Sequence, residues 1–135
     1  MISVERLAVL PLFGELDIHD LGIVAARVRE VTVAATEALI EQGALPTDVY
    51  VVEEGTVEIS RDGVVVSTQG PGTVVGEIAL VDPQRRTATV RALTDVRAVA
   101  LAVADFQLIV TEMPEIGRDL QAIATHRLGE LGDLS

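Results

Sequence analysis

Residues 76–90 hold the residue types that could do chemistry: Gly76-Glu77-Ile78-Ala79-Leu80-Val81-Asp82-Pro83-Gln84-Arg85-Arg86-Thr87-Ala88-Thr89-Val90. A glycine, a carboxylate, small residues and paired arginines lie between two strand-like runs. Backbone N–H groups at Ile78 and Ala79 can line a concave turn, and a short helix opening there would aim its positive end at an anion. Arg86 follows Gly76 by ten residues, far enough for the chain to turn back and set a guanidinium over the same spot. A guanidinium binds phosphate through two parallel charge-assisted hydrogen bonds and keeps its charge at any working pH. Glu77 offers only acceptors, which suits a sugar hydroxyl and not a phosphate. Together these residues make an anion cradle with one carboxylate facing away from the anion, as a ribose carrying a phosphate needs.

Three kinds of element must position that cradle. Residues 1–28 read as helical, with Val4, Leu7, Ala8 and Leu12 at helical spacing, Pro11 interrupting and Gly14 punctuating. Asp17 is the expected N-cap of a second helix whose stripe is Leu21, Val24, Ala25 and Val28. Over 29–103 the period becomes that of strands, expected at 31–33, 39–40, 49–52, 57–59, 64–66, 74–75, 87–92 and 96–103. Asp62-Gly63 reads as a two-residue hairpin turn, with further turns at Gly55 and at Gly70-Pro71-Gly72. The helical period returns over 104–132. A short helix passes through Phe106 and Ile109, and a last helix opens at Pro114 with the stripe Ile116, Leu120, Ile123, Ala124, Leu128 and Leu131.

Composition narrows the function. A chain of 135 residues makes one domain, able to bury roughly two-thirds of its unfolded surface without staples. With no cysteine, neither a disulfide framework nor a thiolate zinc site is available, which fits a reducing cytoplasm. Only His19 and His126 could offer imidazole to a metal, and His19 reads as a surface residue, so no metal site is expected. No apolar run approaches the length of a membrane span. The net charge of −11 argues against nucleic acid as a partner, since such binders gain affinity by neutralising phosphates. All ten basic residues are arginine, and Arg85-Arg86 is the one adjacent basic pair. Gly70-Pro71-Gly72-Thr73-Val74-Val75-Gly76 is not a dinucleotide fingerprint, because its third glycine is one residue late and no crossover helix follows. Ser60 and Ser67 have no histidine base near them in the pattern, so no catalytic constellation is found.

Gly76-Glu77-Ile78-Ala79-Leu80 followed by Arg86-Thr87-Ala88-Thr89-Val90 resembles the phosphate-binding cassette of the cyclic nucleotide-binding domain family. The likeness extends to Glu41-Gln42-Gly43, to Val49–Gly55 and to Gly70-Pro71-Gly72, which fall where that family has strand-turn glycines. The resemblance implies an α+β domain over 1–135. It has an eight-stranded β-roll of jelly-roll type, flanked by N-terminal helices and a C-terminal helix pair. It implies cyclic AMP or cyclic GMP as ligand and no cofactor. Glu77 would take the ribose 2′-hydroxyl and Arg86 the cyclic phosphate. Ile78 and Ala79 would add N–H donors, Gly76 would allow the close turn, and Thr87 would reach the phosphate or the base. The last helix would cover the base, with Leu128 as the covering residue, and would respond to ligand as a regulatory device, not an enzyme. A homodimer through that helix, or an effector domain elsewhere, would read the response in the cytoplasm. The alternative is a degenerate interaction module of the same fold with no ligand. Two departures stand out: Thr36 occupies a usual glycine turn position, and Val75 replaces a commoner aromatic before Gly76.

Overall fold

In a computed structural model, residues 2–10, 13–14, 16–76, 86–118 and 121–122 are described. Two short helices, α1 (Val4–Ala8) and α2 (Ile18–Ala25), precede eight strands: β1 (Arg29–Val33), β2 (Ala38–Ile40), β3 (Asp48–Glu54), β4 (Val57–Arg61), β5 (Val64–Gln69), β6 (Val74–Val75), β7 (Thr89–Ala92) and β8 (Val96–Ala102). Helix α3 (Val103–Glu112) follows, and residues 114–118 are again helical. The strands form two antiparallel four-stranded sheets, ordered β1-β8-β3-β6 and β2-β7-β4-β5. The α+β roll with flanking helices expected from the sequence is therefore what the chain forms.

The first sheet is covered on both faces, which is why β3 and β8 read as continuous apolar runs and not as alternating ones. Val49, Val51, Val99 and Leu101 point toward the helices and pack with Leu7, Phe13, Val24, Phe106 and Ile109. Tyr50, Val52, Ala98 and Ala100 point the other way, into a second core shared with Ile40, Val57, Ile59 and Val90 of the opposing sheet. The outer face of that opposing sheet meets solvent, and Val64, Val65 and Val66 of its edge strand are exposed.

Local chemistry sets the boundaries. Asp17 caps α2, its carboxylate accepting from the Asp20 N–H at 2.9 Å. Asp62 and Gly63 both hold positive φ, 53° and 79°, the twist a two-residue hairpin between Arg61 and Val64 demands. Gly55 is obligatory at the β3–β4 turn, since a Cβ there would lie 2.4 Å from the Asp95 carbonyl. Strands β1, β3, β4 and β5 are longer than the sequence expectation, and three further boundaries differ from it. Helix α2 ends at Ala25, leaving Val28 buried in the connection to β1. Strand β7 starts at Thr89 and not at Thr87, because the preceding residues bond to the turn after β2 instead of extending the ladder. Val103 opens α3 and does not close β8. The expected final helix beyond 118 lies largely outside the described residues.

Candidate functional site

Tyr50 of β3 pairs with Val75 of β6, so Gly76 emerges beside Asp48 where the two strands run out. Arg86 arrives from the other sheet. Its carbonyl accepts from the Gly43 N–H at 2.8 Å and its N–H donates to the Ala44 carbonyl at 2.8 Å, which ties it to the turn after β2. The Gln42 N–H donates to Thr89 Oγ1 at 3.0 Å, extending the tether to the start of β7. Gln42 also exchanges two hydrogen bonds with Asp62: its Nε2 donates to the carboxylate at 2.7 Å and its Oε1 accepts from the Asp62 N–H at 2.9 Å. The hairpin tip, the β2 turn and Arg86 are thus one connected unit.

So tethered, the Arg86 side chain reaches between the sheets. Its Nη1 donates to the Gly76 carbonyl at 3.1 Å and its Nη2 to the Asp48 carbonyl. Gly76 holds φ +81°, and a Cβ there would come within 2.8 Å of Arg86 Nη1 and 3.1 Å of the Asp48 carbonyl oxygen. Only glycine lets the guanidinium lie this close to the backbone. The two carbonyls fix the direction of the guanidinium, the group best suited by charge and shape to a phosphate.

Beneath it lies Asp48, the one buried charged residue among those described, at 6% exposure. Its carboxylate accepts from Arg29 Nη1 at 2.8 Å and from Thr47 Oγ1 at 3.0 Å. Burial pushes this carboxyl up, but the bonds from Arg29 and Thr47 and the charges of Arg29 and Arg86 outweigh it and hold the group below its ordinary value. Burial, then the charge of Asp48, pushes the neighbouring Tyr50 phenol up.

Of the residues singled out by sequence, Gly76 and Arg86 meet as expected. Thr87 is exposed beside them, its carbonyl accepting from Arg61 Nε at 3.3 Å. Glu77, Ile78, Ala79 and Leu128 lie outside the described residues. Sequence reasoning missed Asp48 and Arg29. The available signal was a carboxylate opening the run Asp48-Val49-Tyr50-Val51-Val52, since a charge at the head of a buried strand requires a partner. His19 is exposed, and among the described residues no group of three or more His, Asp or Glu could hold a metal.

A model of the cyclic nucleotide-binding domain family matches residues 30–112. The potassium/sodium hyperpolarization-activated cyclic nucleotide-gated channel 4 of Oryctolagus cuniculus is 29% identical over 128 residues, covering 95% of this chain but 11% of that channel. The chain therefore spans a small part of the length of this relative. The N-terminal domain of a transcriptional regulator from Streptomyces coelicolor is 34% identical, with a TM-score of 0.77, covering 98% of this chain and 96% of that one. A structure described as a cyclic nucleotide-binding protein from Geobacter metallireducens superposes with a TM-score of 0.87 at 24% identity, covering 96% and 98% of the two chains, a likeness of fold.

Proposed function

The chain belongs to the cyclic nucleotide-binding domain family, and we propose that it binds a cyclic mononucleotide, cyclic AMP or cyclic GMP, as a regulatory sensor and not as an enzyme. The observation that carries this reading is the Arg86 guanidinium held against Gly76, ten residues earlier in the chain, by the Gly76 and Asp48 backbone carbonyls. In this proposal the phosphate takes Arg86, with N–H donors from Ile78 and Ala79. Glu77 accepts from the ribose 2′-hydroxyl, Thr87 bonds the phosphate or the base, and Leu128 covers the base. The domain is read as helical over 1–28, a β-roll over 29–103 and a responsive helical segment over 104–132. Ligand shifts the position of that last segment by binding one of its two arrangements more tightly than the other. A second copy of the chain, or an effector domain outside it, receives the shift.

Aromatic stacking contributes little here, because the chain has one tyrosine, two phenylalanines and no tryptophan, and Tyr50 is committed to the core. Phosphate and ribose contacts therefore carry the affinity. The ribose contact supplies the test. Glu77→Ala should weaken cyclic AMP by roughly 0.5–1.5 kcal/mol or more while leaving a 2′-deoxy analogue, which never made that bond, at its wild-type affinity. Equal losses for the two ligands would show that Glu77 supports the fold and does not read the sugar. Absence of binding by either nucleotide to the wild type would favour the ligand-free interaction module instead.

A further inference from the structure

We propose that Asp48 and Arg29 are positioning residues that set the strength of the anion site around Arg86, Asp48 damping its positive field and Arg29 restoring it; this rests on the cyclic nucleotide reading above. Asp48 touches Arg86 through its main chain, where its carbonyl accepts from Nη2. The same residue carries a full negative charge, buried to 6% exposure, so that water screens it poorly. The carboxylate is held by Arg29 Nη1 at 2.8 Å and Thr47 Oγ1 at 3.0 Å. Arg29 of β1 faces Ala100 of β8, and Ala100 faces Tyr50 of β3. Side chains in one such row share a face, and Asp48 lies two residues from Tyr50 along its strand. Arg29, Asp48 and Tyr50 therefore stand on the face that looks toward the other sheet and toward Arg86.

Three charged groups are thus connected through Asp48: Arg86 at its carbonyl, its own carboxylate, and Arg29 on that carboxylate. An incoming phosphate meets Arg86 in the field of the buried Asp48 carboxylate, which is itself paired with the half-exposed Arg29 guanidinium. An ion pair with one half-exposed member gives little net stability, so its position next to Arg86 invites another role. Tuning of the phosphate site supplies one. Removing the negative member should raise the local positive field, and removing the distal positive member should lower it.

The two changes thus have opposite signs for binding, whereas a pair that only props up the fold would weaken binding from either side. Calorimetry with cyclic AMP on the wild type, Asp48→Asn, Arg29→Gln and Arg29→Lys separates these cases. Asp48→Asn is expected to bind roughly three- to tenfold tighter, with a steeper dependence on salt, and Arg29→Gln weaker by a similar factor. Arg29→Lys keeps the charge and should stay near wild type. Weakening in both Asp48→Asn and Arg29→Gln, or no change in either, overturns the proposal. Arg29 is half exposed, so its variants report even where Asp48→Asn folds poorly. A second readout does not depend on nucleotide. In the ligand-free protein the guanidinium N–H signals of Arg86, assigned by their loss in Arg86→Lys, should shift in Asp48→Asn and in Arg29→Gln. If the wild type bound no cyclic nucleotide, the sensor reading would fail while these signals still judged the charge pair. Unchanged signals in both variants would overturn it.

Discussion

Thr36 carries a β-branched side chain at φ +78°, a region that such residues avoid because Cβ crowds the following carbonyl. The turn between β1 and β2 holds it there. The Thr36 N–H donates to the Ala92 carbonyl at 2.8 Å, its carbonyl accepts from Arg91 Nη1 at 2.7 Å, and the Ala35 N–H donates to the Asp95 carboxylate at 3.0 Å. Thr36→Gly should therefore stabilise the protein by about 1 kcal/mol, the relieved strain exceeding the extra entropy of an unfolded glycine. A denaturant titration reads this directly, and a loss of stability would mean that the turn is not strained. At this scale the sequence was most legible where a residue type has one conformational use. Asp62-Gly63 announces its turn, and Thr36 stood out against an expected glycine. It was least legible where a long-range partner decides the role, as for Asp48, whose meaning depends on Arg29 nineteen residues away.

Among the elements, the approach of residues 114–118 to α3 is the tightest joint near the C-terminal end of the described chain. Gly117 is buried, and a Cβ there would lie 2.7 Å from both Cα and Cγ2 of Val110. The Met113 N–H donates to the Ile109 carbonyl at 2.7 Å, and the Gly117 N–H donates to the Met113 carbonyl at 3.2 Å, so the chain turns without losing its hydrogen bonds. Gly117→Ala must force the two helical segments apart, at a cost of about 1–3 kcal/mol. Hydrogen exchange should show the loss as faster exchange confined to α3 and 114–118, and an unchanged rate would show that Val110 simply yields. Sequence periodicity located these helices and every strand, because alternation and helical stripes are local signals. It misjudged the start of β7, because the bonds from the Gly43 N–H to the Arg86 carbonyl and from the Arg86 N–H to the Ala44 carbonyl compete with the ladder there. No pattern within residues 86–89 reveals that competition.

For the whole molecule, the two cores lie on the two faces of the first sheet, and the charge of Asp48 sits at the start of β3, an inner strand of that sheet. Its carboxyl is held below its ordinary value, against burial, by Arg29 and Thr47 and by the charge of Arg86. A carboxyl that binds its proton less readily in the folded than in the unfolded state contributes fully above its ordinary value of 3.8 and fades as pH falls through its folded value. Asp48→Asn has no such group, so it should be less stable at neutral pH yet lose stability less steeply below about pH 4. Chemical denaturation at several acid pH values reads the slope, and identical slopes would mean that Asp48 does not titrate with folding. The layering of the molecule left a signal that the sequence reading did not use, the missing alternation of β3 and β8, which marks strands covered on both faces. The central claim is that this scaffold aims Arg86 at a cyclic phosphate. Calorimetric titration of cyclic AMP and cyclic GMP into the wild type and into Arg86→Ala tests it most directly. The account predicts saturable heat in the wild type and a loss of roughly 2–5 kcal/mol of binding free energy in the variant. No heat in the wild type, or equal affinity in the two proteins, would contradict it.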